Sequence, residues 1–494
     1  MEPKNLRLGG GLTETMLHPV VLVAMLITIA LMLFLPRKYA VVPLLFFGLL
    51  TPHGQEVFVG GVHLFAFRIV ILVAWIRMCG TKLSSQSKSL VGQWTSIDTA
   101  FTCWAIIRVF AFMLLYGPAD ATINQLGFLW DVFGGYFLLR YLIQDEEDVL
   151  RTVKTLAAIT GILAICILNE KFRGQNIFGY LGGVPIVPDV RDGAIRPQGP
   201  FGHPLLAGTF GATLLPLFVW LWISRKAKAL GLVGLISSTI VTIASASSTP
   251  LMAYVAGIMG ICFWPIRKNM RAIRWGLVIG LITLHLIMKA PVWYIIAHID
   301  LIGASSGYHR AFLVDQFIQN FWDWWLWGTK GNSDWGWDMW DLSNQYITEG
   351  VIGGLGALVF FIGMISRGFG RLGDARRVLN GDYKAEWLVW LLGSSLFAHC
   401  VGFFGISYWD QTVVSWFALF AMICAVTTIA VSQPAKEIET APMGFPLVNA
   451  PSVALATLSL RQSQNEQTAR PMEWRGEGVT DERKPRAFSW RKSG

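Results

Sequence analysis

Two arginines stand where a fixed positive charge could act on an anion. Arg196 precedes the Pro/Gly-rich turn "PQGPFGHP", which leads directly into an apolar segment. Arg310 shares one face of a predicted helix with apolar residues at i+4, i+7 and i+11, namely Val314, Phe317 and Phe321. A guanidinium is always charged, and its donor fork fits phosphate oxygens. The pattern predicts that both arginines bind a diphosphate at the membrane surface.

Each arginine also has a simpler interpretation. Arg196 could anchor the chain to lipid headgroups while its stem packs on apolar surface. Arg310 could form a structural ion pair, because an unpaired buried charge costs several kcal/mol. The residues by themselves are compatible with both interpretations.

Candidate proton acceptors lie close to Arg310 in the sequence. His309 precedes it, and imidazole can act as a general base near neutral pH. His203 and His298 are further candidates, as are the carboxylates of Asp341 and Glu349. The acidic residues of this region lack the spacing of a calcium loop, so no metal site is predicted.

Seven tryptophans fall within residues 321–340. Indole rings at the level of lipid headgroups explain the first four: Trp322, Trp324, Trp325 and Trp327. The last three alternate with Gly and Asp, which is typical of surfaces that stack sugar rings on apolar faces. The predicted glycan-binding residues are therefore Trp335, Trp337, Trp340 and Asn344.

Membrane helices must position these residues. The chain is 54% hydrophobic and 14% charged, with a mean hydropathy of +0.51, which is too apolar for one soluble core. Apolar runs long enough to span a bilayer recur, and the first is a retained span rather than a cleaved signal. We expect spans at 17–35, 39–52, 58–78, 98–116, 124–143, 149–168, 202–223, 229–247, 250–265, 274–290, 344–366, 386–404 and 408–431.

The basic connections fall on alternate sides of these spans, which places them in the cytoplasm. This topology explains the net charge of +9 better than nucleic-acid binding does. Two long loops then face outward. The predicted regions are 1–168 (N-terminal transmembrane helices), 169–201 (first long outer loop), 202–290 (transmembrane helices), 291–343 (long outer loop with an interfacial helix), 344–431 (C-terminal transmembrane helices) and 432–494 (disordered cytoplasmic tail).

Some charged residues fall inside the apolar runs. Charges there are costly and tend to pair or to mark a pathway. We expect either Arg68 or Arg108 to pair with Asp131 between helices.

With these pieces in place, the chain resembles the O-antigen ligase and polysaccharide polymerase superfamily of bacterial inner-membrane glycosyltransferases. The resemblance covers roughly residues 195–430 and rests on three stretches. These are "RPQGPFGHPLLAG", "SASSTPLMAYVAG", and the series from "YHRAFLVDQFIQN" through "WLWGTKG" to "LSNQYITEGVIGGLGALVFF". It implies an all-α polytopic membrane protein with about 12–13 transmembrane helices, two long outward-facing loops and a GT-C-like fold.

The resemblance also implies a reaction. A glycan passes from an undecaprenyl-diphosphate donor to a hydroxyl of a glycan or lipid acceptor at the periplasmic face, without a cofactor. Arg196 and Arg310 would stabilise the leaving diphosphate, and His309, Glu349 or Asp341 would take the proton. Ser343 stands where the family's ligases usually carry His, which favours a polymerase. Other polysaccharide-assembly proteins would be further partners.

Two other classes of function compete with an enzyme. A transporter or flippase of lipid-linked glycans would commonly show two related halves and substrate groups at the midplane. Here the distinctive polar residues gather in two outer loops, which favours the enzyme. A structural or assembly subunit is the third alternative.

Overall fold

The computed structural model describes residues 15–59, 62–84, 92–298 and 307–440. The protein is mostly helical, at 76%. The helices are α1 (Pro19–Phe34), α2 (Arg37–Leu50), α3 (Ala66–Ser84), α4 (Ser96–Tyr116), α5 (Pro118–Leu129), α6 (Gly135–Leu142), α7 (Glu146–Arg173), α8 (Pro204–Ile223), α9 (Lys228–Ala244), α10 (Ser248–Cys262), α11 (Met270–Ile287), α12 (Ile295–His298), α13 (Gly307–Gln319), α14 (Phe321–Trp324), α15 (Gln345–Val378), α16 (Tyr383–Gly402) and α17 (Thr412–Thr440).

Seven of the described helices are long and apolar enough to cross a membrane. They are α4, α7, α8, α15, α16, α17 as far as Val431, and the segment Trp264–Ile287 that includes α11. Three shorter apolar helices, α1, α9 and α10, accompany them. Every one of the predicted apolar segments contains helix, which is consistent with a multi-pass membrane protein.

One predicted transmembrane span, 58–78, begins as a β-hairpin and not as a helix. The segment 58–78 opens in an antiparallel hairpin of β1 (Glu56–Val59) and β2 (Val62–Phe65), and helix α3 begins only at Ala66. Valine and phenylalanine suit a strand as well as a span, so an apolar run alone does not separate the two. A second short hairpin pairs β3 (Asp189–Arg191) with β4 (Ala194–Arg196).

Connections at one end of the helices form a layer that we call the loop end. The Gln411 side-chain amide donates to the carbonyls of Thr51 and Pro200 at 2.8 and 2.7 Å. Asp410 accepts a hydrogen bond from the Gly202 amide at 3.0 Å. Loops that are distant in sequence are therefore fixed to one another at this end.

The opposite end carries basic contacts. The Arg37 guanidinium bonds Asp148 at 3.0 Å and the carbonyls that end α6, Tyr141 and Leu142. Lys226 bonds Glu146 at 2.6 Å. Cations near a helix C-terminus donate hydrogen bonds to the last carbonyls, which have no partner within the helix, and they interact favourably with the negative end of the helix dipole.

Charged residues inside the helices are paired across helices. Arg68 makes two bonds to Asp131, at 2.8 and 2.6 Å, which confirms the predicted pair. Arg108 instead contacts Glu349 at 2.9 Å, and Arg140 contacts Asp98 at 3.0 Å. Such pairs satisfy charges that a membrane interior would not tolerate alone.

Helix α15 is interrupted by non-helical backbone at Gly354, where φ is 69°. Residues 325–329 of the tryptophan-rich segment fill the break: the Leu355 amide donates to Trp325 O and the Thr329 amide to Val351 O, both at 2.8 Å. A Cβ at Gly354 would lie 2.4 Å from the Leu326 carbonyl oxygen, so only glycine fits. The break thus anchors the tryptophan-rich segment to the helices.

The C-terminal part of the chain beyond the last predicted span is only partly described. Helix α17 continues to Thr440, and the first compact unit comprises Met1–Ala435. The rest of the predicted tail, 441–494, lies outside the described residues.

We predict that Glu349→Gln lowers the free energy of unfolding by about 3–5 kcal/mol, because it leaves the Arg108 charge, whose side chain is only 15% exposed, without its counter-charge. Thermal and denaturant unfolding of the detergent-solubilised protein measures this. Asp374→Asn is the control, since Asp374 and Arg377 form an exposed pair at 3.1 Å that should contribute less than about 1 kcal/mol. Equal effects of the two substitutions would contradict the structural role of the Arg108–Glu349 pair.

Candidate active site

A buried carboxylate shapes the turn that enters α8. Glu170, fully buried at the end of α7, accepts hydrogen bonds from the amides of Gln198 and Gly199 at 3.1 and 2.8 Å. The Asn176 side chain donates to Gly199 O at 2.7 Å, and that of Gln198 donates to Phe201 O at 2.8 Å. Sequence reasoning missed Glu170; its signal is a carboxylate at the end of an apolar run.

The turn holds Arg196, the last residue of β4. One terminal nitrogen of its guanidinium bonds Asp189 and the other bonds Ser247 Oγ, each at 2.7 Å. Only 6% of the residue is exposed, and its buried Nε has no acceptor in the described part of the chain. Burial lowers the pKa of Arg196 and Asp189 opposes that shift, so the guanidinium stays charged at neutral pH. A charged donor is thus fixed at the loop end.

Arg310 is a buried cation in the first turn of α13. It is 5% exposed, which confirms its predicted place on an apolar face. Its Nε is buried without an acceptor, and no described residue makes a hydrogen bond or ion pair with the guanidinium. Burial lowers the pKa of Arg310 to about 10, with a nearby Asp341 acting in the opposite direction. The side chain is therefore charged at neutral pH and has no hydrogen-bonded counter-ion among the described residues.

The two arginines belong to one electrostatic cluster. Arg191 disfavours the charged form of both Arg196 and Arg310. Asp341 favours the charged forms of Arg310 and His203. Interactions between charges decay over about 8–10 Å at moderate ionic strength. The first and second long loops, as predicted from sequence, therefore bring their charged residues together.

Hydrogen bonds assign different roles to two histidines of this cluster. His203 Nδ1 accepts from the Leu205 amide at 3.1 Å, so in the neutral ring Nε2 carries the proton and can donate. Burial, followed by the charge of Arg196, lowers the pKa of His203 and keeps the ring neutral. His309 Nε2 instead lies 3.4 Å from Asp341 O, which leaves Nδ1 as an acceptor when Nε2 donates. Of the two rings, only His309 keeps a nitrogen that can accept a proton without losing a hydrogen bond to the described residues.

The segment before α15 supports this arrangement. Ser343 Oγ donates to Asp341 Oδ1 at 2.7 Å, which orients the carboxylate near His309 and Arg310. Asn344 caps α15 by accepting from the amides of Tyr346 and Ile347 at 3.0 and 3.2 Å, and it is 2% exposed. Its side-chain oxygen serves the helix, so Asn344 is a cap rather than a glycan contact.

Two predicted proton acceptors are engaged elsewhere. Glu349 is fully buried and accepts bonds from Arg108, from Trp104 Nε1 at 2.8 Å and from Gln345 Nε2 at 2.7 Å. A carboxylate whose two oxygens are both held by these donors acts as the structural counter-ion of Arg108. His298 lies exposed on α12, with Nδ1 3.2 Å from Tyr294 O. The described geometry leaves His309 and Asp341 as the acceptors near the arginines.

The tryptophans of residues 321–340 form a buried and an exposed group. These groups do not match the predicted division into four rings at the lipid headgroups and three glycan-binding rings. Trp335 is 8% exposed and packs with Phe317 and Met339, so it is a core residue rather than a sugar platform. Trp324 is also buried and stacks on Phe317 with ring centroids 3.9 Å apart. Trp337 and Trp340 are 87% and 71% exposed and remain available to a glycan. Periodicity is absent in this irregular loop, so sequence could not identify the buried rings.

A scan against family models and a search of curated proteins each return no match to this chain. The resemblance to the O-antigen ligase superfamily therefore stays a prediction.

We predict that Glu170→Gln lowers the free energy of unfolding by about 1.5–3 kcal/mol, because the two Glu170 oxygens accept from two separate amides and the single oxygen of Gln leaves one of these buried amides without an acceptor. Glu146→Gln on the same helix is the matched control. Glu146 is half exposed in its pair with Lys226, and its loss should cost less than about 1 kcal/mol. Unfolding of both variants in one detergent tests this; a Glu170→Gln protein as stable as the control would exclude the proposed role in holding the turn.

Proposed function

We propose that the protein is a membrane glycosyltransferase that moves a glycan from a polyprenyl-diphosphate donor to a hydroxyl of a glycan or lipid acceptor. The observation that carries this proposal is the pair of buried guanidiniums, each with an Nε that lacks an acceptor among the described residues. A buried cation needs an anion nearby, and a diphosphate matches both the donor geometry and the charge. The sequence resemblance to undecaprenyl-diphosphate-dependent enzymes supports the same donor.

The reaction forms one glycosidic bond and breaks one sugar–phosphate bond. The acceptor oxygen attacks the anomeric carbon, and the bonding electrons leave with the diphosphate oxygen. Negative charge then grows on the diphosphate, where Arg196 and Arg310 stabilise it and His203 Nε2–H adds a neutral donor. Fixed donors in a water-poor site act strongly because they need no reorganisation.

The acceptor hydroxyl must also lose a proton. His309 Nδ1 is the acceptor that the hydrogen-bond pattern favours, and the Asp341 carbonyl keeps the ring in the required tautomer. The Asp341 carboxylate, bonded by Ser343, is the second candidate. The exposed rings of Trp337 and Trp340 would stack the acceptor sugar.

The proposed setting is the bacterial inner membrane, with about 12–13 spans in a GT-C-like arrangement. The loop end would face the periplasm, and the basic end would face the cytoplasm by the positive-inside rule. The resemblance and Ser343 favour a polymerase over a ligase, with other polysaccharide-assembly proteins as partners.

The alternative is a transporter or flippase of lipid-linked glycans, and the broken helix α15 is the feature that favours it. In transporters, the amides and carbonyls at such a break have no partner within the helix and bind the substrate or a coupling ion. Here residues 325–329 occupy those groups, which favours the enzyme. Proteoliposomes separate the two: an enzyme creates a new glycosidic linkage, whereas a flippase only moves the donor across the bilayer.

We predict that Arg310→Ala or Arg196→Ala slows glycan transfer by about 10²–10³-fold, the usual effect of removing one transition-state donor. Transfer is measured in proteoliposomes and as surface glycan, with protein abundance determined in parallel. Arg377→Ala, at an exposed arginine, should transfer normally. Full-length surface glycan in both active-site variants would refute the diphosphate site.

We further predict that His309→Gln lowers kcat by about 10²–10⁴-fold, because the variant lacks the ring nitrogen that accepts the proton of the attacking hydroxyl. Single-turnover transfer in proteoliposomes measures this, with donor binding determined in parallel. Normal turnover in His309→Gln, together with its loss in Asp341→Asn, would transfer the role to Asp341.

A further inference from the structure

Positive charge gathers at the end of the helices that lies opposite the loop end. Helices α10 and α15 start at the loop end, so their last turns reach the opposite end, where they meet the first turn of α16. The segments 264–274 and 367–390, which we call the basic cluster, lie there and contain nine Lys and Arg residues against three Asp and Glu residues. The carboxylates of these two segments therefore cannot neutralise all of their cations.

Arg267 is fixed beside Glu386, the buried carboxylate of the basic cluster. Its Nη2 lies 3.6 Å from Glu386 Oε2, which is an ion pair without a hydrogen bond, and the two side chains are 13% and 2% exposed. The guanidinium carbon lies 3.9 Å from the centroid of the Trp264 ring, and Nη1 donates to Trp264 O at 3.2 Å. Trp264 in turn stacks on Trp387 with ring centroids 4.3 Å apart. These contacts hold the charge of Arg267 in one position.

A second guanidinium, that of Arg376, depends on the same carboxylate. Arg376 is near enough to Glu386 and Arg267 to interact electrostatically with both. It forms no hydrogen bond and no ion pair within 4 Å with a described residue, and the neighbouring Asp374 pairs instead with Arg377 at 3.1 Å. Arg376 is half-buried, so part of its side chain stays accessible. One carboxylate thus serves two guanidiniums, and the accessible one lacks a bonded partner among the described residues.

An uncovered apolar helix follows the basic cluster directly. Arg271 and Arg274, both exposed, lie in the first two turns of α11, and none of the residues of α11 is buried. The apolar residues beyond Arg274 that are 60–77% exposed are Trp275, Leu277, Ile279, Leu286 and Ile287. Cations followed by an uncovered apolar surface match an amphiphile with an anionic head, because its hydrocarbon chains need such a surface below the headgroup.

We propose that the basic cluster binds the phosphodiester headgroup of an anionic phospholipid. Arg376 bonds the phosphate, Arg267 adds its fixed charge, and the acyl chains lie along α11. Guanidinium donors fit phosphate oxygens, and basic pockets between transmembrane helices bind such headgroups. A soluble phosphate would make no use of the apolar surface of α11, so the arrangement favours a lipid. The proposal does not depend on glycosyl transfer, because it uses none of the residues at the loop end.

The test titrates the full-length, detergent-solubilised protein with phosphatidylglycerol and counts bound lipids by native mass spectrometry. Phosphatidylglycerol should bind at least about fivefold more tightly than phosphatidylethanolamine with the same acyl chains, because the ammonium group of the latter offsets its phosphate. Glycerol phosphate, which is the soluble headgroup, should not compete at concentrations at which phosphatidylglycerol saturates. Equal binding of the two lipids, or competition by glycerol phosphate, would overturn the proposal.

Two neighbouring arginines provide variants that are matched in net charge. Arg376→Gln should weaken phosphatidylglycerol binding about fivefold, which is the contribution of one cation to binding an anionic lipid. Arg377→Gln should weaken it less than about twofold, because Arg377 is exposed and already pairs with Asp374. Equal effects of the two substitutions would show that binding responds to net charge alone and would contradict a defined site. The wild-type comparison of the two lipids decides the matter if Arg376→Gln does not fold.

A photoreactive probe locates the bound lipid. Phosphatidylglycerol that carries a diazirine in one acyl chain should crosslink in the same detergent to residues 275–287 of α11, and unlabelled phosphatidylglycerol should compete. Arg376→Gln should reduce these crosslinks about fivefold and Arg377→Gln less than about twofold. Arg310→Ala should leave them unchanged, which separates this test from that of the proposed function. Crosslinks confined to other helices would overturn the placement of the lipid beside α11 and with it the site.

Discussion

The structure depends on one constraint: a charge within membrane helices must have a partner. Arg68–Asp131, Arg108–Glu349 and Arg140–Asp98 each join two parts of the chain that are far apart in sequence. Removing one partner leaves a buried charge, which is far more costly than replacing the whole pair. Against this background Arg310 stands out, because it is as buried as the paired arginines and has no counter-ion within hydrogen-bonding distance among the described residues.

Backbone hydrogen bonds at the loop end give the arginines fixed positions. Glu170, Asp410 and Gln411 each bond main-chain groups of the turn 198–202. The Gly354 break binds the tryptophan-rich segment to α15 in the same manner, through its amides and carbonyls. Pre-organised donors of this kind suit electrostatic stabilisation of a growing charge, because little movement is needed during reaction.

Two sites of opposite character follow from these contacts. The arginine cluster has a surplus of buried positive charge and suits a diphosphate. A cavity of about 350 Å³ at α2, α6 and α17 is lined mainly by apolar side chains, and its arginines are paired with carboxylates.

The amino-acid sequence by itself determined the helices, since apolar runs of sufficient length have few other structures in a membrane. It also determined that Arg310 faces an apolar surface and that Arg68 can pair with Asp131. Only the tertiary structure decided that Glu349 neutralises Arg108, 241 residues away, that Asn344 caps α15, and that Trp335 is buried while Trp337 is exposed. The physical reason is that periodicity reports local geometry, whereas a charge's partner and a loop residue's burial depend on segments brought together by folding.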